Sequence, residues 1–220
     1  MNSNQLPLYG DKDSLPAVQA HIDKWSACTQ CRLNATRTSV VLAKGCVPAD
    51  ILFIGDAPGQ AEDISGVPFV GPAGNLLKAM INTALHEHCK DSEDQPTYAI
   101  TNVVACVPRI VHKYAPLTEA IDDAGVRQPT IEESNSCSSR LLEFVKICNP
   151  KGVVAVGDFA FDYLNSKDHP THEYLLTRKI PIAHITHPAA ILRSDDSNSF
   201  APMYLKQISQ LVNFFERHYT

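Results

Sequence analysis

The sequence predicts an α/β fold, a three-layer α/β/α single domain around a central, mainly parallel four-stranded sheet. Two observations lead there. Four short apolar runs, at 50–54, 98–105, 152–157 and 179–186, have the length and continuity of strands buried on both faces. Stretches with apolar residues at helical spacing fall between them, and strands alternating with helices close into a parallel sheet covered on both sides.

The elements follow in chain order. Residues 1–13 are polar, carry Pro7 and Gly10, and read as a flexible amino-terminal arm, with the domain proper at 14–220. A helix begins near Ser14, with Pro16 in its first turn and Val18, Ile22 and Trp25 on one face, and it runs into Cys28 and Cys31. After the strand Ile51–Ile54, residues 55–74 read as a loop with five glycines and three prolines. From Asn75, residues Leu76, Leu77, Met80, Ile81 and Leu85 form a helix stripe. The strand 98–105 leads into a long polar insert, 107–130, punctuated by Pro108, Pro116 and Pro129. Thr130 precedes Glu132 and Glu133 and is the expected N-cap of a helix carrying Leu141, Leu142, Val145 and Ile147. The strand 152–157, a short helix at 158–164, the strand 179–186 and a last helix at 201–217 complete the chain.

Nineteen basic and 24 acidic residues give a formal charge of -5, so no global positive field gathers polyanions, and a nucleic-acid partner needs a local patch. No apolar run approaches the roughly 18 residues of a membrane span, and the first residues have neither a basic nor an apolar leader region, which predicts a cytoplasmic protein without a membrane partner. Seven cysteines, an odd number in a chain long enough to bury a core, point to metal ligation or plain thiols rather than to disulfides.

In an open parallel sheet, ligands bind beyond the carboxyl ends of the strands. Three of the four strands end there in unusual polar loops. The first, Gly55 to Gly74, offers backbone amides around Ala57 to Gly59, with Asp56, Glu62 and Asp63 close by. Its spacing fits neither a P-loop nor GxGxxG. The second carries Asn102 at the end of an apolar strand. A buried amide with unmet partners costs about 1–3 kcal/mol, so Asn102 either bonds neighbouring backbone or reads a polar ring edge. The third places His187 before Pro188, Ala189, Ala190, Ile191, Leu192 and Arg193. Cys28 and Cys31 form a C-x2-C pair, and with Cys106 and Cys137 they make a four-thiolate set suited to zinc or to an iron-sulfur cluster.

The three segments GDAPGQAEDISGVPFVGPAG, TNVVAC and THPAAILR, in this order, resemble the uracil-DNA glycosylase superfamily, most closely its family 4 branch, which carries a 4Fe-4S cluster. The resemblance runs from about Cys28 to Arg193. It implies a DNA repair enzyme that flips uracil out of single- or double-stranded DNA and hydrolyses the N-glycosidic bond, leaving an abasic site. By this similarity Phe69 stacks on the flipped ring, Asn102 pairs with its polar edge, and His187 donates to a base oxygen as negative charge develops. Asp56 or Glu62 holds the attacking water, and Gly55, Ala57, Pro58 and Gly59 shape the pocket. Ile191 or Leu192 is the wedge in the minor groove, with Arg193 and Arg109 at phosphates. Cys28, Cys31, Cys106 and Cys137 hold the 4Fe-4S cluster.

Two departures stand out. The family usually has glutamate where this chain has Asp56, which shifts weight onto Glu62. The 31-residue separation of Cys106 from Cys137 is longer than usual. A related branch forms a covalent adduct through a histidine in a loop of this region, a part His112 could play in principle, but GDAPG and Cys106 resemble family 4 instead. The alternatives are a glycosylase of the same fold acting on another deaminated or modified base, and a catalytically silent DNA-binding relative. The enzyme is expected to act as a monomer in the nucleoid-containing cytoplasm.

Overall fold

The computed structural model describes residues 8–10, 14–89, 95–110, 125–194 and 197–219. A six-stranded sheet forms the middle layer. Its strands are β1 (Leu8–Gly10), β2 (Ala43–Val47), β3 (Ile51–Gly55), β4 (Tyr98–Asn102), β5 (Gly152–Val156) and β6 (Ile182–Ile185), in the order β1-β2-β4-β3-β5-β6. The four strands expected from the sequence form the parallel part, β4-β3-β5-β6. The sheet has two strands more than the sequence predicts. β2 joins β4 antiparallel, and β1 lies parallel to β2. Residues 8–10 of the expected arm are thus an edge strand. β2 escaped notice because its sequence, AKGCV, carries Lys44 and Gly45 and is mostly half-buried.

The helices are α1 (Leu15–Trp25), α2 (Gln60–Ser65), α3 (Pro72–His88), α4 (Ile131–Cys148), α5 (Asp158–Asn165), α6 (Pro170–Thr177), α7 (Pro188–Leu192) and α8 (Ser197–His218). The segment 55–74 is therefore not all loop, since it contains α2 and the start of α3. Thr130 caps α4 as expected: its hydroxyl accepts from the Glu133 amide, and the Glu133 carboxylate accepts from the Thr130 amide. Among the described residues no helix is long and apolar enough to cross a membrane.

The alternation of β3 divides the core. Leu52 and Ile54 join Leu141, Phe144 and Val145 of α4 on one face, while Ile51 and Phe53 join Leu77, Met80 and Ile81 of α3 and Leu211 and Phe215 of α8 on the other. Burial of both faces explains why these strands are continuously apolar. α1 is held to α4 by Glu143, which accepts from Lys24, from His21 Nδ1 (2.9 Å) and from Trp25 Nε1 (3.0 Å). This contact fixes where the chain emerges toward Cys28.

Register brings the four strand ends into one row. Gly55 pairs with Asn102 on one side and Val156 on the other, and Val156 pairs with Ile185. β3 has its successors on both flanks, β4 on one and β5 on the other. That reversal is the place where such sheets hold ligands.

Candidate active site and cysteine cavity

Beyond that row of strand ends opens a pocket of about 780 Å³ whose walls come from all three loops singled out in the sequence. Asp56, Ala57, Pro58, Gly59, Glu62, Phe69, Asn102, His187, Leu192 and Arg193 all line it. Gly55 lies beneath them as a floor. A Cβ there would stand 2.5 Å from Phe69 Cζ and 2.6 Å from Asn102 Oδ1, so only glycine lets ring and amide approach this closely.

Asn102 is buried, and its Oδ1 meets no donor among the described residues. Phe69 is also buried and holds a left-handed backbone, with φ of 54°. Such a conformation in a bulky residue persists only where its surroundings enforce it. Lys44 Nζ donates to the Phe69 carbonyl (2.8 Å), and Glu62 Oε1 accepts from the next two amides, Val70 and Gly71, both at 2.9 Å. Glu62 Oε2 accepts from Gly59 at 3.1 Å. The carboxylate of Glu62 thus clamps both ends of the first loop. Its position in the pocket wall is as expected, but its oxygens serve backbone amides, and this leaves Asp56 as the freer acid.

Asp56 Oδ1 accepts from the Ala160 amide at the start of α5 (3.0 Å), and burial raises its pKa to about 6, with Asp158 adding to the rise. His187 is the N-cap of α7, where its Nδ1 accepts from the Ala189 amide (3.2 Å). A neutral ring then carries its hydrogen on Nε2, the nitrogen left to donate. Burial lowers its pKa to about 4, Arg193 adding to the fall. Between the two lies Gly157 (φ 109°), where a Cβ would come within 3.0 Å of Asp56 Oδ1 and 3.2 Å of His187 Cβ.

Of the groups expected at DNA, two sit elsewhere. Ile191 is fully buried in the core beside α8, whereas Leu192 is 45% exposed and lines the pocket. A single step along α7 separates the two fates, because adjacent helical residues point about 100° apart. Arg109 does not reach the pocket. Its Nη2 pairs with buried Asp63 at 2.8 Å and its Nε donates to the Thr36 carbonyl at 3.1 Å. The near end of the insert contributes instead: Val126, Arg127, Gln128 and Pro129 complete the pocket wall, and Arg127 is gripped by both oxygens of Glu133 (2.6 and 2.8 Å). His112, Lys113, Glu119, Asp122 and Asp123 lie outside the described residues.

Cys28, Cys31, Cys106 and Cys137 line a second, smaller cavity together with Arg37 and Arg140. Sequence separations of up to 109 residues close into one wall. Among the described residues no three His, Cys, Asp or Glu side chains converge on a single ion. Four thiols with two guanidiniums and no carboxylate among the lining residues are a donor set that suits an anionic, thiolate-bound group. The open space between them is about 10 Å³, one water's worth. Burial pushes the Cys106 thiol up to about 12 against the opposing pull of Arg37, whose Nη1 donates to its sulfur at 3.5 Å. Cys46, Cys89 and Cys148 do not border this cavity.

Lys44, Arg127 and Arg140 are the site residues that sequence reasoning missed. Only Arg140 left a trace, three positions after Cys137 and so on the same helix face.

The fold and the pocket together define a three-layer α/β protein that presents an aromatic ring, an unpartnered amide and a neutral imidazole to a ligand at the carboxyl edge of its sheet. The chain belongs to the uracil DNA glycosylase superfamily, whose family profile matches residues 42–210. It is 30% identical over 218 residues to the type-4 uracil-DNA glycosylase of Thermotoga maritima, covering 96% of this chain and 99% of that protein. It is 29% identical over 180 residues to the type-4 uracil-DNA glycosylase of Archaeoglobus fulgidus, covering 76% and 78%.

Proposed function

We propose that this protein excises uracil from DNA by hydrolysing the bond between base and sugar, as the first step of repair. The observation that carries this reading is the buried, unpartnered Oδ1 of Asn102 beside Phe69. An orphaned acceptor costs stability, and a ring N–H supplied by uracil removes that cost. Cytosine lacks a hydrogen on the corresponding ring nitrogen and is refused. A silent DNA-binding relative has no use for this arrangement.

The base reaches the pocket by leaving the stack, with Leu192 filling the gap and Arg193 close to the backbone. Phe69 stacks on the flipped ring. His187, neutral near pH 7, donates through Nε2 to a base oxygen as the departing uracil gains negative charge, an effect worth about 2.7–4 kcal/mol for one donor. Asp56, ionised above about pH 6, holds the water and faces the cationic sugar. Glu62 acts through the loop it clamps. Each of these roles falls to a residue in one pocket wall, and none requires the insert tip.

The four-cysteine cavity holds the 4Fe-4S cluster of this reading. When bound, that group supplies a rigid cross-link between α1, the end of β4 and α4, the elements that flank its ligands. Residues 14–220 act as one domain together with the edge strand β1 that precedes them, and the enzyme works as a monomer on uracil-containing DNA.

A single-turnover assay on single-stranded and duplex DNA, with detection of the released base, tests the proposal. Uracil is expected as the product, with other deaminated or modified bases released at least tenfold more slowly. Preferential release of another base, or DNA binding without abasic sites, overturns it.

A further inference from the structure

Arg140 is one of the largest side chains buried in the molecule, and it stands between the two cavities. Its terminal nitrogens face β4. Nη1 donates to Thr101 Oγ1 at 3.0 Å, and Nη2 donates to the backbone carbonyls of Asn102 and of Val103, the latter at 2.7 Å. The same side chain borders the cysteine cavity. Two needs of this guanidinium are unmet. Among the described residues its Nε has no acceptor and it forms no ion pair with a carboxylate. A buried charge without an anion and a buried donor without an acceptor are each costly, and both occur in one group that borders four thiols.

We propose that Arg140 is a positioning residue that couples the cysteine-held cluster to base recognition, donating its Nε–H to a sulfur there while its terminal nitrogens hold the backbone of Asn102. This rests on the cluster reading above. An anionic group ligated by four thiolates answers both unmet needs at once. In return, the bound group fixes the guanidinium, and the guanidinium fixes the strand end that carries the uracil-reading amide. Hydrogen bonds to cluster sulfurs raise reduction potential, and residues that orient a site from behind typically change its affinity 10–100-fold. Arg37 is the second guanidinium at the cavity, but its other contact is the Cys28 carbonyl, so it lacks a link to β4.

The test uses Arg140→Lys, which keeps the charge and loses the fork. In anaerobically purified protein it is expected to retain iron and to show a lower reduction potential than wild type. Its dissociation constant for free uracil is expected to rise at least tenfold, a readout independent of turnover. An iron-loaded variant with unchanged potential and unchanged uracil affinity overturns the proposal alone. Wild-type protein that never carries iron overturns the cluster reading beneath it. If Arg140→Lys does not fold, electron-nuclear double resonance on the reduced cluster of Arg37→Lys protein labelled with ¹⁵N-arginine takes its place. An arginine nitrogen coupling is expected, and its absence, with a water occupying that position, overturns the coupling.

Discussion

The pocket proposed to read the base and the cysteine cavity are built on different plans. The pocket is wide, about 780 Å³, and its polar groups come from side chains at strand ends, some of them held by backbone amides. The cysteine cavity is small, about 10 Å³, and its four thiols follow α1, follow β4 and sit on α4, far apart in sequence. A site that must admit and release a ligand keeps room and an unpartnered acceptor. On the cluster reading, the cysteine cavity instead gathers its donors closely, and the unmet groups at its edge are answered by what it binds.

This contrast is sharpest at His187. His187→Ala is expected to lower single-turnover excision by 10²–10³, with the cysteine cavity and its iron unchanged, because one preorganised donor to the leaving base is lost. Iron content that fell with activity would tie the two regions directly together. Cys106→Ser acts from the other side: the cluster and several degrees of melting temperature are expected to go, and uracil affinity with them, as iron analysis, calorimetry and binding would show.

Glu62→Gln is expected to cost about tenfold to a hundredfold, mainly through a disordered loop, since the amides of Gly59, Val70 and Gly71 lose their charged acceptor. A loss as large as that of His187, with loop and substrate affinity intact, would restore Glu62 as the acid at the water.

Acid sensitivity separates Asp56 from His187. The Asp56 pKa, raised to about 6 by burial, predicts that kcat/KM falls about tenfold per unit as pH drops below that value. His187, lowered to about 4, stays neutral across this range and adds no limb there. Asp56→Asn is expected to be slower and flat between pH 5 and 7 in a pH-rate profile. The sign for stability is opposite. A carboxyl whose folded pKa is raised favours the fold at low pH, and that contribution is lost as pH rises through about 6.

The smallest expected effect on chemistry is at α7. Leu192→Ala should slow excision several-fold on duplex DNA and hardly at all on single strands. Ile191→Ala instead costs about 2–5 kcal/mol of stability, measurable by urea denaturation, because it opens a hole in the core.

Asn102 and His187 were legible in the sequence because they stand where apolar runs stop, and polar residues at such positions need a reason, whereas Phe69 stood out only through the family resemblance. The four strands that carry them were legible for the same reason, being continuous and apolar. What escaped notice depends on contacts across the fold. Lys44 meets Phe69 and Arg140 meets Asn102 over separations that no local pattern records. Arg109 reads as a surface cation until Asp63 is seen against it, and the phase that sends Ile191 inward and Leu192 outward is set by a helix only five residues long.

The base of the insert has a practical consequence. Arg109 and Val126 form an antiparallel bridge, the Ile110 amide donates to the Gly125 carbonyl at 2.7 Å, and the Arg127 amide donates to the Pro108 carbonyl at 2.9 Å. Arg127, which these bonds hold, is also the residue whose guanidinium meets Glu133 in the pocket wall, so one side chain and its backbone tie the described base of the insert, the first turn of α4 and the pocket together, and a change there is felt at all three.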